Sequence, residues 1–344
     1  MKLAEVIAQL VEERGLDKVT LSSIVCEGML AAYKKKYPDL DIKVEYNKKT
    51  GELEVFSRKF VVAAVQDDDK EISLKKAKNI DNQLEIGNEV WAPFDGKIGR
   101  IETIKAKQVI SEKIRAIEYD TIYKSFKDKE GSIVNGIIHR CERSGALVKV
   151  GESFAFLPKS LTAPDDKCIA GHPIRALLKE VLPNPRNESQ LILDRKSSDF
   201  LKRLFELEIP EVFEGLVEIK KIVRLPGYKS KIGVVSNDPN IDPVGTCVGI
   251  GGARIKPILK EIGSERIDVI KWTDFSSDLV RDSLKPAQVN KVDIAGSVAR
   301  VWVSEDQRSL AIGKMGQNIS LASQFSGFDI QLMDLEKKTS GENE

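Results

Sequence analysis

The apolar positions at the start of the chain repeat at helical spacing and then change to alternation. One predicted helical face consists of Leu3, Val6, Ile7, Leu10 and Val11. TLSSIVCEGMLAAYKKKY predicts a second helix with Thr20 as its N-cap. DIKVEY and ELEVF alternate apolar and polar residues around the turn NKKTG, which predicts a hairpin. A long helix is predicted from Ile98 to Phe126, so the first segment is of mixed α/β character.

Residues 131–196 have a different pattern, with five short alternating segments separated by Gly and Pro. Five short strands in about 65 residues predict a small OB-type β-barrel. In SFAFLP, Phe154 and Phe156 are predicted to lie on the same strand face. They are interpreted either as two core aromatics or as a platform on which bases stack, and His139 on the first strand is a further candidate for that platform.

The last part of the chain contains an internal repeat. VVSNDPNIDPVGTCV-GIGG-ARIKPILKEIG-SERIDVI aligns with VWVSEDQRSLAI-GKMG-QNISLASQFSG-FDIQL. Each copy has a strand, a polar turn, a G-x-x-G, a helix, a glycine that ends the helix and a last strand. The repeat predicts two small α/β domains in tandem.

The composition indicates several small soluble domains, since 41% of the 344 residues are apolar and only 6% aromatic. No apolar run is long enough to span a membrane, and the N-terminus does not resemble a signal peptide. The cysteines, which never form a C-x-x-C pair, are Cys26, Cys141, Cys168 and Cys247. We therefore expect neither a disulfide framework nor structural zinc, and a reducing cytoplasm fits. With two histidines, His-based metal or triad chemistry is not expected.

The net charge is +1, with 54 Lys and Arg against 53 Asp and Glu. A protein that binds nucleic acid through its bulk charge has a much larger positive excess. Any nucleic-acid binding must therefore come from local placement of basic side chains.

The glycine loops do not fit nucleotide-cofactor motifs. The dinucleotide fingerprint is G-x-G-x-x-G, but Arg254 stands in place of its third glycine, and GKMG lacks the middle glycine. Neither loop has the P-loop pattern. No cofactor is predicted.

A helix–G-x-x-G–helix unit fits better, because KH domains use it to hold the backbone of single-stranded nucleic acid. The alternative is a glycine turn between packed helices. The candidate RNA-binding residues in the two loops are Gly249, Gly252, Arg254, Lys256, Gly313, Lys314, Gly316, Gln317 and Asn318.

These segments resemble a known family. SNDPNIDPVGTCVG with ERIDVIKW, and SEDQRSLAIGKMGQNISLASQFSGFDI, resemble the paired KH domains of the NusA family of bacterial transcription factors. GNEVWAPFDGKIGRIETIKAKQVISEKIRAIE resembles the end of that family's N-terminal domain, and residues 131–196 are similar to its S1 domain. The resemblance implies an N-terminal polymerase-binding domain (1–126), an S1 domain (131–196), two KH domains (200–280 and 281–335) and a polar tail (336–344).

The implied function is that of a cytoplasmic elongation factor that catalyses no reaction and needs no metal or cofactor. Its implied partners are the RNA polymerase core, nascent single-stranded RNA and other Nus factors, and the implied oligomeric state is a monomer. The implied effects are on pausing, termination and antitermination. Gly251, Met315 and Ser320 stand where the family often has basic or small residues, so a weaker grip on RNA is expected.

Two other functions remain open from the residues. RNA-processing enzymes also join KH and S1 modules, but catalysis needs clustered carboxylates. The candidates, Asp67–Asp69 and Asp165–Asp166, are predicted to lie in solvated loops, and 126 residues are too few for a catalytic core. The other alternative is a ribosome-associated RNA-binding protein without polymerase contact, which the sequence separates less well.

Overall fold

The computed structural model describes residues 17–47, 49–186 and 189–334, and the chain divides after Thr121 into two compact units. The helix predicted at Leu3–Val11 lies outside the described residues. The finer division into four domains and a tail stays a prediction.

The first unit is a four-stranded sheet with helices. Its elements are α1 (Lys18–Lys36), β1 (Ile42–Asn47), β2 (Glu52–Val62), β3 (Glu71–Ser73), α2 (Leu74–Lys78), β4 (Glu89–Pro93) and the part of α3 (Arg100–Lys127) that precedes Ile122. Strand β2 pairs antiparallel with β1 and β4 and parallel with β3. The predicted hairpin is present, with Asn47 opposite Glu52 across its turn.

The N-cap of α1 differs from the prediction. The Asp17 carboxylate accepts hydrogen bonds from the backbone N–H groups of Val19, at 2.8 Å, and Thr20, at 2.9 Å. Thr20 lies inside the first turn, where its hydroxyl donates to Asp17. The prediction of Thr20 as N-cap was wrong, because the carboxylate three residues earlier satisfies the free N–H groups of the first turn.

The second unit begins with a closed five-stranded barrel, which confirms the predicted OB-type architecture. Its strands are β5 (Ile133–Cys141), β6 (Gly145–Val150), β7 (Ser153–Pro158), β8 (Pro173–Arg186) and β9 (Ser189–Asp194). They close in the order β5-β6-β7-β9-β8 around buried side chains such as Val148, Leu178 and Leu193.

The absence of a disulfide was wrongly predicted. Cys141 ends β5 and Cys168 lies in the connection from β7 to β8, and the two are bonded with their Cα atoms 6.0 Å apart. Closure of the barrel brings together two cysteines separated by 27 residues, which spacing along the sequence does not reveal. The other two are free thiols, and burial raises the pKa of Cys247 to about 12.

Two tandem α/β domains follow, as the internal repeat predicts. The first contains α4 (Ser198–Glu208), α5 (Pro210–Phe213), β10 (Val217–Leu225), β11 (Lys229–Ser236), α6 (Pro243–Val248), α7 (Ile255–Ile262) and β12 (Arg266–Lys271). The second contains α8 (Ser276–Ser283), β13 (Lys291–Ala295), β14 (Val298–Val303), α9 (Glu305–Ile312), α10 (Gln317–Ser326) and β15 (Asp329–Asp334). In each sheet the middle strand pairs antiparallel with the first and parallel with the last.

The helices pack through apolar residues spaced three and four apart. In α7 these are Ile255, Ile258 and Ile262, which join a core with the α4 residues Phe200 and Leu204. This packing fixes the start of α7 and thereby the glycine loop before it. Among the helices in the described parts of the chain, none is long and apolar enough to cross a membrane.

Candidate nucleic-acid interface

The first loop, Gly249–Gly252, joins α6 to α7 through three residues with positive φ. Asp242 starts α6 by accepting hydrogen bonds from the N–H groups of Val244 and Gly245. Gly249 ends that helix at φ 74° and ψ 166°. Gly251 and Gly252 follow at φ 61° and 78° and turn the chain into α7. This path is open to glycine and strained for other residues.

The second loop, Gly313–Gly316, follows the same path. Gly313 has φ 70° and ψ 175°, and Gly316 has φ 75°. Met315 occupies the position of Gly251 at φ 54° and is the only non-glycine residue with positive φ in the described parts of the chain. The sequence repeat is therefore a repeat of backbone geometry.

Close packing explains the first glycine of each loop. A Cβ on Gly313 would lie 2.7 Å from Cβ of Asn318, and one on Gly249 would lie 3.0 Å from the backbone nitrogen of Arg254. A Cβ on Gly316 would meet nothing within 4 Å. The first glycine admits the start of the next helix, whereas the last glycine leaves space in front of the loop.

The basic side chains beside the loops differ in availability. Lys256 and Lys314 are exposed, and neither has an ion-pair partner among the described residues. Arg254 donates to Glu211, at 2.8 Å, and to the Thr246 carbonyl, at 3.1 Å. Its guanidinium is therefore partly committed within the protein, while the two lysines are free to meet phosphates.

Beside α7 lies a cleft of about 850 Å³ between the first α/β domain and the barrel. Lys256 and Lys260, one turn apart on α7, line it together with Asn135 and Arg175 of the barrel. Arg175 donates to Glu208 at 2.6 Å. The cleft starts at Ala253, directly after the first loop, and its lining carries Lys256, Lys260 and Arg175 against one carboxylate, Glu261, so it is basic on balance.

Asn318 does not fit the role that the sequence predicted. Its side chain is only 3% exposed, and its amide nitrogen donates to the carbonyls of Leu284, Leu310 and Ala311. Its amide oxygen accepts a hydrogen bond from Lys229 at 3.0 Å. The preceding residue, Gln317, is partly exposed. Asn318 is thus a structural residue beneath the loop, because its hydrogen-bonding groups are used internally.

The barrel presents one aromatic side chain of the predicted pair. Phe154 is 39% exposed and lies 5.2 Å from the ring of His139. Phe156 is 5% exposed, and its ring lies against Gly145 of the neighbouring strand β6. The interpretation as a core aromatic therefore applies to Phe156. The interpretation as a platform for base stacking stays a prediction for Phe154 together with His139.

Arg195 connects the barrel to the first α/β domain and is a residue that sequence reasoning missed. Its guanidinium donates to both carboxylate oxygens of Asp166, at 2.8 and 2.9 Å, and to Glu261 of α7, at 2.6 Å. The prediction that Asp166 lies in a solvated loop was wrong, because its carboxylate is part of a largely buried ion pair with Arg195. Asp67–Asp69 are exposed, as predicted.

Lys229 and Glu211 were also missed, although the sequence holds a signal for Lys229. Lys229 and Lys231 lie two residues apart at the start of the apolar strand KSKIGVVS, where charged residues are unusual.

No group of three His, Cys, Asp or Glu that could hold a metal is found within the described ranges.

Three family models match the chain. They are a NusA N-terminal domain over residues 2–120, a NusA-like first KH domain over 195–272 and a NusA-like second KH domain over 276–340.

Curated relatives match over nearly the whole chain. A transcription termination/antitermination protein NusA of Thermus thermophilus is 34% identical over 97% of this chain and 90% of its own length. The protein of the same name from Bacillus subtilis is 34% identical over 96% of this chain and 90% of its own. Among solved structures, the N-terminal domain of NusA from B. subtilis is 31% identical and covers 34% of this chain and 95% of that one, at a TM-score of 0.25.

Proposed function

Because the chain belongs to the NusA family of transcription termination/antitermination proteins, we propose that it binds RNA polymerase through residues 1–126 and nascent RNA through its two G-x-x-G loops. Members of this family are transcription factors and not enzymes. In this proposal the chain modulates pausing, termination and antitermination, in the cytoplasm, as a monomer, and other Nus factors join it there.

The observation that carries the proposal is the repeated loop geometry, in which two glycine turns with matching φ angles each precede a helix. At each loop an exposed lysine, Lys256 or Lys314, is without an ion-pair partner among the described residues. Backbone N–H groups at such a turn and a nearby cation together favour a phosphate. We assign the phosphate contacts to the outer glycines of both loops and these lysines, with Arg254 and Gln317 at the edges.

Phe154 and His139 are proposed to stack on RNA bases at the barrel. Their rings are adjacent and accessible, which suits stacking on a flexible single strand. The basic cleft beside α7 lies between the first loop and the barrel and would give the strand a route from one to the other.

In the first unit, apolar side chains exposed on the sheet support binding to a large protein. Phe60 on β2 and Trp91 on β4 are 50% and 39% exposed. They lie on neighbouring, antiparallel strands, with Arg58 directly opposite Trp91. Aromatic and arginine side chains are enriched in protein interfaces.

The near-neutral net charge suits such a tethered factor. A protein held on polymerase meets the emerging RNA at a high effective concentration. Weak loops with few cations are then sufficient, and a large positive excess is unnecessary.

The test is a transcription assay with core polymerase on a template that contains a pause site. The full chain is expected to change the pause lifetime, and the double variant Gly252→Asp/Gly316→Asp is expected to lose most of this effect, because carboxylates would face the phosphates. Gly327→Asp is the matched control, since Gly327 has φ 83° and open space but lies outside both loops. An unchanged effect in the double variant would overturn the assignment of the loops. Failure of the full chain to bind polymerase would favour a ribosome-associated RNA-binding protein.

A further inference from the structure

Asn318 is the first residue of a hydrogen-bonded chain that crosses between the two KH domains. Its amide nitrogen lies 3.1 Å from the Leu284 and Leu310 carbonyls and 3.2 Å from that of Ala311. These carbonyls belong to the linker after α8 and to the end of α9, which leads into the second loop. Because the nitrogen faces three acceptors, the amide oxygen must face the other way, toward Lys229 of the first KH domain.

Lys229 needs an acceptor beyond its carboxylate. Its ammonium and that of Lys231 both lie 2.8 Å from the same oxygen of Asp268. Lys231 is fully buried and Lys229 is 16% exposed, so two largely buried cations share one carboxylate. The Asn318 oxygen, 3.0 Å from Lys229, supplies a further acceptor. Removing either partner leaves a buried polar group without its hydrogen bond.

The helix that follows the second loop is also packed on the first domain. Phe325 of α10 is fully buried and makes an edge-on contact with Trp272, with ring centroids 5.8 Å apart. A Cβ on Gly233 of β11 would lie 2.8 Å from the Phe325 ring. Leu321 and Phe325 join a core with Val223 and Ile270, which lie on the sheet of the first KH domain. Helix α10 is thereby held at its start by a hydrogen bond and at its end by apolar packing.

The corresponding residue of the first loop is held differently. Arg254, like Asn318, stands two residues after the last glycine and beneath the first glycine of its loop. Its partners, Glu211 and Thr246, belong to its own domain. The first loop is supported locally, and the second loop is supported across the domain boundary.

We propose that Lys229 is a positioning residue that, through Asn318, fixes the second G-x-x-G loop relative to the first, so that one RNA strand can occupy both loops at once. The inference rests on the proposed RNA-binding function. A fixed separation raises the effective concentration of the second loop for a strand already held by the first, and a loose separation lowers it.

A distance measurement tests the fixed separation without RNA. The loop tips Ile250 and Met315, 98% and 89% exposed, accept nitroxide labels as the pair Ile250→Cys/Met315→Cys in a Cys26→Ser background, since Cys247 is buried and the remaining cysteines are bonded. We expect a narrow distance distribution in this parent and a width at least about doubled by Lys229→Met. Lys220→Met, at an exposed lysine paired with Glu218, is the matched control and is expected to stay narrow. A distribution as narrow in Lys229→Met as in the parent overturns the proposal.

Affinities for RNAs of two lengths test the consequence. One KH loop clamps about four nucleotides, so a four-nucleotide RNA fills one loop and an RNA of about 12 nucleotides reaches both. Lys229→Met is expected to weaken binding of the longer RNA about tenfold and of the shorter less than twofold, and Lys229→Arg, which keeps a cationic donor, is expected to restore most of the loss. Equal losses on both RNAs, or none, contradict the positioning role.

Failure of the variant to fold and failure of the parent to bind RNA are both distinguishable from failure of the positioning role. If Lys229→Met does not fold, Lys229→Gln carries the same test, because it removes the charge and shortens the donor while keeping the residue polar. If the parent protein binds neither RNA, the proposed function fails, and the label distances still decide whether Lys229 fixes the loops.

Discussion

The two G-x-x-G loops have one backbone path and two kinds of support. Beneath the first, Arg254 is bonded to Glu211 in the same domain. Beneath the second, Asn318 is bonded to Lys229 in the preceding domain. A repeated motif therefore need not be stabilised in a repeated way, and the second loop depends on a neighbour that the first does not need.

The loops also differ in what they present to a ligand. In the first, the position after the leading glycine holds the exposed apolar Ile250, and the cation nearest in sequence is outside the loop. In the second, Lys314 occupies that position and Met315 follows it. The second loop thus brings a charge of its own, and the first relies on glycine backbone and on Lys256.

The largest expected effect concerns the leading glycines. Gly313→Ala is expected to lower the free energy of unfolding by about 3 kcal/mol or more, because φ 70° with ψ 175° is almost restricted to glycine and the new Cβ would overlap Asn318. Urea unfolding measures the loss.

Two companions sharpen this prediction. Gly316→Ala, with open space at a left-handed φ, is expected to cost about 1 kcal/mol. Gly249→Ala is expected to fall between them, since the new Cβ would lie 2.9 Å from Cγ and 3.0 Å from the backbone nitrogen of Arg254, slightly farther than the 2.7 Å contact at Gly313. Equal losses for Gly313→Ala and Gly316→Ala would show that close packing under the second loop is unimportant.

The next effect is a pH dependence of the free energy of unfolding that arises from Lys231, which shares Asp268 with Lys229. Burial lowers the pKa of Lys231 to about 8, against the attraction of Asp268. Between about pH 8 and 10.5 the unfolded chain keeps this proton and the folded protein does not, so stability rises with pH in that window. The rise due to Lys231 is expected to be about 3 kcal/mol at most.

Comparison with Lys231→Met isolates this contribution. Unfolding by urea at pH 7.5 and at higher pH is expected to show a steeper rise in the parent than in the variant. Arg300 at the matching strand position of the second domain is exposed, so Arg300→Met should not alter the slope. Parallel curves for the parent and Lys231→Met would mean that Lys231 titrates normally.

Much of this architecture follows from the sequence because it depends on local periodicity. The five barrel strands and the two helix–loop–helix units each lie within short alternating or helical patterns, and the glycine spacing fixes the turns between them. The same local information fails at Cys141 and Cys168, which only closure of the barrel brings together.

The site was less predictable than the fold, because exposure depends on partners distant in sequence. Phe156 is buried on a strand that the closed barrel places between β6 and β9, and Asn318 is bonded to a lysine 89 residues earlier. Lys314 within the second loop and Lys256 shortly after the first are exposed, and their role as phosphate contacts stays a prediction. The charge of Lys229 in an otherwise apolar strand was a signal in the sequence, but nothing in the sequence indicated that Asn318 is its partner.

A smaller effect is expected from giving the first loop a charge. Gly251→Lys is expected to strengthen RNA binding about threefold and to steepen its salt dependence by about one counterion, as a new phosphate contact should. Met315 shows that a long side chain is accommodated at this position of the path, with a strain of about 1 kcal/mol. Affinity titrations at several salt concentrations measure both quantities, and Gly251→Gln controls for side-chain bulk. A gain of the same size with Gln would exclude a charge effect.

The smallest effect is expected from the reverse change in the second loop. Met315→Gly relieves the left-handed strain of about 1 kcal/mol but increases the entropy of the unfolded chain by a similar amount. The two terms oppose each other, so the free energy of unfolding is expected to change by less than about 0.5 kcal/mol, with RNA affinity unaltered because the exposed thioether carries no charge. Urea unfolding and an RNA titration check the two expectations. If affinity falls, then Met315 itself contacts RNA, and the loops differ in apolar contacts as well as in charge and support.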